Sequence, residues 1–99
     1  MNEFTKHVAA DRRLVILQLL ALSGEYKANE YILREALPSF GHAPSQDVLR
    51  ADFAWLAEQG LVSVDAVASV EIITLTERGL DVQSGRAQVP GVKRPRPGE

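Results

Sequence analysis

The sequence contains no cysteine. Disulfides and thiolate metal sites are therefore excluded, and a reducing cytoplasm suits the chain. It has little uninterrupted apolar sequence. The longest run, Leu14 to Leu22, is broken by Gln18 and is far too short to span a membrane. The opening "MNEFTKHVAADRR" lacks the basic, apolar and small-residue order of a signal peptide, so no leader is expected. No phosphate-binding loop, nucleophile elbow or dinucleotide-binding glycine pattern occurs. The two histidines, His7 and His42, lie far apart, with no carboxylate at metal-ligand spacing. These absences argue against an enzyme, a metal and any cofactor.

What is there fits one small soluble domain: 99 residues, 45% hydrophobic and 24% charged. The net charge of −2 is unevenly placed. Up to Arg86 there are 8 bases against 12 acids, a balance of −4; from Ala87 onward 3 bases face 1 acid, a balance of +2. An acidic body joined to a basic end is an asymmetry that a partner can use.

Apolar residues from Val8 to Leu22 recur at helical spacing and predict a first helix over about Thr5–Leu22, ended by Ser23-Gly24. Asp11 offers an alternative start. Asn29 is placed to cap a second helix through Ile32, Leu33 and Leu37, which Pro38 ends or kinks. Ser45 is placed to cap a third over Gln46–Gln59, closed by Gly60. "LVSV" and "VEIITLT" are β-branched runs separated by "DAVAS" and predict a hairpin. Thr76 can cap a short last helix, in which Gly79 costs about 1 kcal/mol relative to alanine. "VPGVKRPRPGE", with Pro90, Pro95 and Pro97, reads as extended and disordered. The expected organisation is a domain over residues 1–86 and a basic, proline-rich tail over 87–99.

Three helices, a two-stranded hairpin and a short closing helix form an α+β arrangement, the layout of a winged helix-turn-helix. "SQDVLRADFAWLAEQGLV" followed by "ITLTERG" resembles the third helix, wing and closing helix of arsenic-repressor and multiple-antibiotic-resistance type regulators. From "DRRLVILQLLAL" to "VPGVKRP" the chain is also similar to small winged-helix proteins of Mu-like prophages. The resemblance implies double-stranded DNA as partner and a phage transcriptional regulator as role. Its alternative is a winged helix that binds protein, a phage partner or its own twin; a homodimer through the apolar end of the first helix, "LVILQLLAL", is expected.

On the third helix, Leu49, Phe53 and Leu56 share one side and predict the core stripe; Asp47, Arg50, Ala51, Ala54 and Glu58 lie opposite. In a winged helix that outer face enters the major groove. Arg50 is suited to guanine and Gln46 to adenine. Ser45 and Lys27 are candidates for phosphate, as are the tail's Lys93, Arg94 and Arg96. Against this reading, Asp47 and Glu58 oppose phosphate, and the wing turn offers Asp65 and no cation. For protein contacts the candidates are Val48 and Trp55 on the third helix and Leu19 and Leu22 on the first. Tryptophan is common at interface hot spots, although packing within the domain is the simpler use of Trp55.

Overall fold

The computed structural model describes residues 2–97. Helix α1 spans Glu3–Leu22. Asn2 caps it, its side-chain oxygen accepting the Thr5 amide at 2.8 Å. Asp11, the alternative start, lies within the helix. At the other end the Ser23 hydroxyl donates to the Leu19 carbonyl. A tight turn follows, with Glu25 and Tyr26 both in left-handed backbone. It delivers a strand that the pattern did not predict, β1, Lys27–Asn29. Three residues are too few to show an alternating period.

Asn29 ends β1 and caps α2, Glu30–Ala36, accepting the Ile32 amide at 2.9 Å. Pro38 stops the α-helical ladder, and the chain continues as a 3-10 turn over Leu37–Phe40. Of the residues read as the α2 apolar stripe, Leu33 and Leu37 are buried, while Ile32 is exposed. Ser45 caps α3, Gln46–Glu58, accepting the Val48 amide. Strands β2, Val62–Val67, and β3, Val70–Leu75, form the wing. Asp65 to Val67, read as loop, belong to β2, so the turn between the strands is only Ala68-Ser69. The sheet has the order β1-β3-β2 and is antiparallel throughout.

Helix α4, Glu77–Ser84, is capped by Thr76 as predicted. Gly79 has a positive reason to be glycine there: a Cβ at this position would lie 2.1 Å from the Leu61 carbonyl oxygen. The close approach of α4 to the strand entry outweighs the helix-propensity cost. The core gathers Ile16, Leu20, Phe53, Leu56, Leu61 and Ile73, all fully buried. The predicted α3 stripe of Leu49, Phe53 and Leu56 faces it.

The expectation of a disordered tail from residue 87 is overturned for the described part. The Lys93 amide donates to the Ala10 carbonyl at 3.1 Å, and Val89 is buried. Val89 and Val92 are apolar anchors within a segment whose prolines and bases dominate its composition. Burying them offsets the entropy of ordering the segment. Gly98 and Glu99 lie outside the described residues.

Candidate nucleic-acid interface

The outer face of α3 is built as the helical geometry requires. With Leu49, Phe53 and Leu56 buried, Asp47, Val48, Ala51, Ala54 and Glu58 are exposed. The two residues expected to read bases are occupied elsewhere. The Arg50 guanidinium clasps the Glu30 carboxylate with two bonds, Nε to Oε1 at 3.0 Å and Nη2 to Oε2 at 2.7 Å. It also donates to the Ser69 carbonyl at 2.9 Å, tying α3 to the wing turn. Glu71 stands 3.9 Å away as a second acid.

Glu30 is only 2% exposed, and every partner it has is a donor. Besides Arg50 it accepts the Glu71 amide at 2.6 Å and the Gln46 side-chain amide at 3.3 Å. The Arg50 hydrogen bonds outweigh the cost of burial and push the Glu30 carboxyl down to about 2. Arg50 and Gln46 are thus corrected from base-reading candidates to the donors that stabilise a buried acid. An unpaired carboxylate at this depth is costly, so the cluster holds the two side chains inward. Ser45 has its hydroxyl engaged in the cap. Lys27 is exposed on β1, the sheet edge opposite β2. The end of β2 and the wing turn present Asp65, Ala66, Val67, Ala68 and Ser69 to solvent, none of them a cation.

The other side of α3 carries a second charged cluster. Asp52, 2% exposed, takes Arg12 and Arg13 of α1 together. Arg13 then lies over the Trp55 ring, 4.2 Å from its centroid, and donates to the Gly91 carbonyl at 3.0 Å. The backbone of Gly91 sits against the indole: a Cβ there would be 2.6 Å from the ring. Trp55 is therefore roofed by α1 and the tail and is not an exposed anchor for another chain. Asp11 completes the docking, bonded to Lys93 at 3.2 Å and to His42 at 2.6 Å. Burial works against its ionisation, but the bonds from His42 and Lys93 prevail and hold its carboxyl below the usual range.

Of the remaining interface candidates, Val48 is 41% and Leu22 84% exposed, and Leu19 is half-buried. Lys93, Arg94 and Arg96 are exposed on a fixed segment, joined by Arg86 after α4. Sequence reasoning missed Glu30 and Asp52. Asp52 carried a signal: it sits between Leu49 and Phe53 on the buried stripe, where an acid requires a partner. Glu30 carried none, because an acid in the first turn of a helix is ordinarily a surface residue favoured by the dipole.

The comparisons fit this architecture. No protein-family model matches the chain. Over 87 residues it is 53% identical to gp26 of Escherichia phage Mu, covering 88% of this chain and 90% of that one. The chain belongs to the gp26 family of phage Mu. A protein of Haemophilus influenzae is 34% identical over 93 residues, with 88% and 90% covered. Among solved structures, F93 from STIV, described as a winged-helix DNA-binding protein, superposes with a TM-score of 0.59 at 24% identity. That match covers 72% of this chain and 77% of F93. The family is thus phage-associated, and this member's fold is a winged helix.

Proposed function

We propose that this gp26-family member is a DNA-associated phage protein that influences transcription by occupying duplex, gripping phosphates without reading base sequence through α3. The observation that carries the reading is the distribution of charge on a winged-helix fold. Arg86, Lys93, Arg94 and Arg96 are all exposed and fall between residues 86 and 96, with Lys93 bonded to Asp11. The α3 and wing face instead exposes Asp47, Glu58 and Asp65. Phosphate neutralisation supplies most nonspecific affinity, so duplex is drawn to the tail edge. The DNA-binding description of F93 accords with a nucleic-acid partner for this fold.

Binding to one random-sequence duplex at several salt concentrations tests this. Arg86→Ala with Arg94→Ala is expected to reduce the salt slope of log affinity by about 1.8, at about 0.9 per lost phosphate contact. Point changes serve better than truncation, since removing the tail would uncover Trp55. Arg50→Ala is expected to leave the slope unchanged. No binding by the full-length protein at low salt would sink the DNA reading.

A second reading is supported by a separate observation. The α3 and wing face combines exposed Val48, Ala51, Ala54 and Val67 with an acidic rim. A face of that chemistry suits a protein partner better than phosphate, and this reading takes over if DNA binding fails.

A further inference from the structure

The apolar end of α1 is largely used by the chain's own core, where Ile16, Leu17 and Leu20 are fully buried. The side that remains walls a groove of about 640 Å³, bounded also by the end of α4 at Gln83 and by the tail at Lys93 and Arg96. Leu14 and Val15 are buried and form its floor, while Leu22 is 84% and Phe40 51% exposed beside it. The α1 wall is therefore apolar and the tail wall basic.

We infer that this groove binds a free single-chain organic acid, its carboxylate held by Lys93 and Arg96 and its alkyl chain laid along α1. Charge selects the head. Two bases line the groove against one acid, Asp11. Both oxygens of that acid are already matched, Oδ1 by Lys93 at 3.2 Å and Oδ2 by His42 at 2.6 Å. An ammonium carries three donors and a guanidinium five, so bonds made within the protein do not exhaust them, and a carboxylate is their natural acceptor. Shape selects the chain. Lys93 stands beside Asp11, and Leu22 lies three turns further along α1, about 16 Å by helical rise. Between Asp11 and Leu22 the α1 wall has one polar side chain, Gln18. An extended alkyl chain fits such a path, and the volume falls within the roughly 300–1,000 Å³ of small-ligand sites. A nucleic-acid backbone would leave Leu22 and Phe40 without apolar contact, and a cationic amphiphile would meet Lys93 and Arg96. Those two bases also belong to the edge offered to duplex, so the site is tested without DNA and stands apart from that reading.

Calorimetric titration of the full chain with dodecanoate, kept below its micellar concentration, tests the inference. Saturable one-to-one binding is expected. Dodecyltrimethylammonium shares the chain but not the charge, and acetate shares the head but not the chain; each should bind at least tenfold more weakly. Leu22→Asp should weaken dodecanoate at least tenfold by setting a carboxylate on the apolar path. Leu22 is exposed, so this variant should keep the native circular dichroism spectrum. Arg96→Gln should weaken binding as well, whereas Arg94→Ala, on the same tail but outside the groove, should leave it unchanged. Absence of saturable binding by the monomeric acid overturns the proposal. So does equal binding of the ammonium compound, or an affinity that Leu22→Asp leaves intact.

Discussion

The two sides of α3 use the same residue types in opposite ways. On the wing side a buried acid, Glu30, draws Arg50 and Gln46 inward and leaves an acidic, small-residue surface. On the tail side a buried acid, Asp52, draws Arg12 and Arg13 inward, and the tail docked over them brings fresh cations to the surface. The helix on which an arginine sits, α3 for Arg50 and α1 for Arg12 and Arg13, therefore does not decide what it does. What decides it is whether a buried carboxylate lies within reach. The winged-helix fold thus carries exposed acids on α3 and the wing, and exposed bases along the tail.

The largest expected effect comes from breaking the wing-side cluster with acid. Glu30 has an unperturbed value of 4.5 and about 2 in the folded protein. A depressed carboxyl contributes stability above the unfolded value, and that stability is lost as pH falls through the folded one. The loss should fall between pH 4.5 and about 2, and amount to roughly 2–3 kcal/mol once the solvent-facing side of Arg50 is allowed for. Urea denaturation at stepped pH would measure it. Glu30→Gln should flatten the profile in this window; an unchanged profile would mean that Glu30 is not the group responsible.

Breaking the tail side should cost less. Gly91 has φ near +99°, and its backbone touches the Trp55 ring. Gly91→Ala therefore meets both backbone strain and a clash, with an expected loss of roughly 1–2 kcal/mol. Trp55 is the sole tryptophan, so its fluorescence reports the event directly. A red shift towards that of a solvated indole is expected, at denaturant concentrations where far-ultraviolet dichroism remains native. Emission identical to the parent protein would show that the tail does not roof the ring.

Much of the frame was legible because its signals are local. Asn29, Ser45 and Thr76 each accept an amide in the next turn, and a cap is written within four residues. The Leu49, Phe53, Leu56 stripe was legible through its period. The candidate site was much less so, because its bonds span the chain: Arg50 reaches back to Glu30, and Arg13 and Gly91 meet across most of the sequence. Composition misled at the tail. Val89 and Val92 anchor a segment whose prolines and bases argued for disorder. Strand β1 was too short to show a period, and it exists because β3 offers an edge.

The smallest expected effect sharpens the contrast, because it changes the outermost point of the wing without touching either cluster's side chains. Ala68 and Ser69 form the two-residue hairpin turn with φ of 51° and 67°, a conformation that suits asparagine and glycine. Ser69→Gly should therefore stabilise the protein slightly, by up to about 1 kcal/mol, since relief of roughly 1–2 kcal/mol of left-handed strain exceeds the roughly 0.4–1 kcal/mol of entropy that glycine adds to the unfolded chain. The Arg50 bond to position 69 uses the main-chain carbonyl, so glycine leaves it in place and the acid-sensitive window of Glu30 should not move. The DNA salt slope should also stay constant if duplex docks at the tail edge. A gain in stability with both other readouts unchanged is the expected result, measured by denaturation and by the duplex titration on one preparation. A change in salt slope would show that the wing lies against DNA and that the tail is not the principal contact.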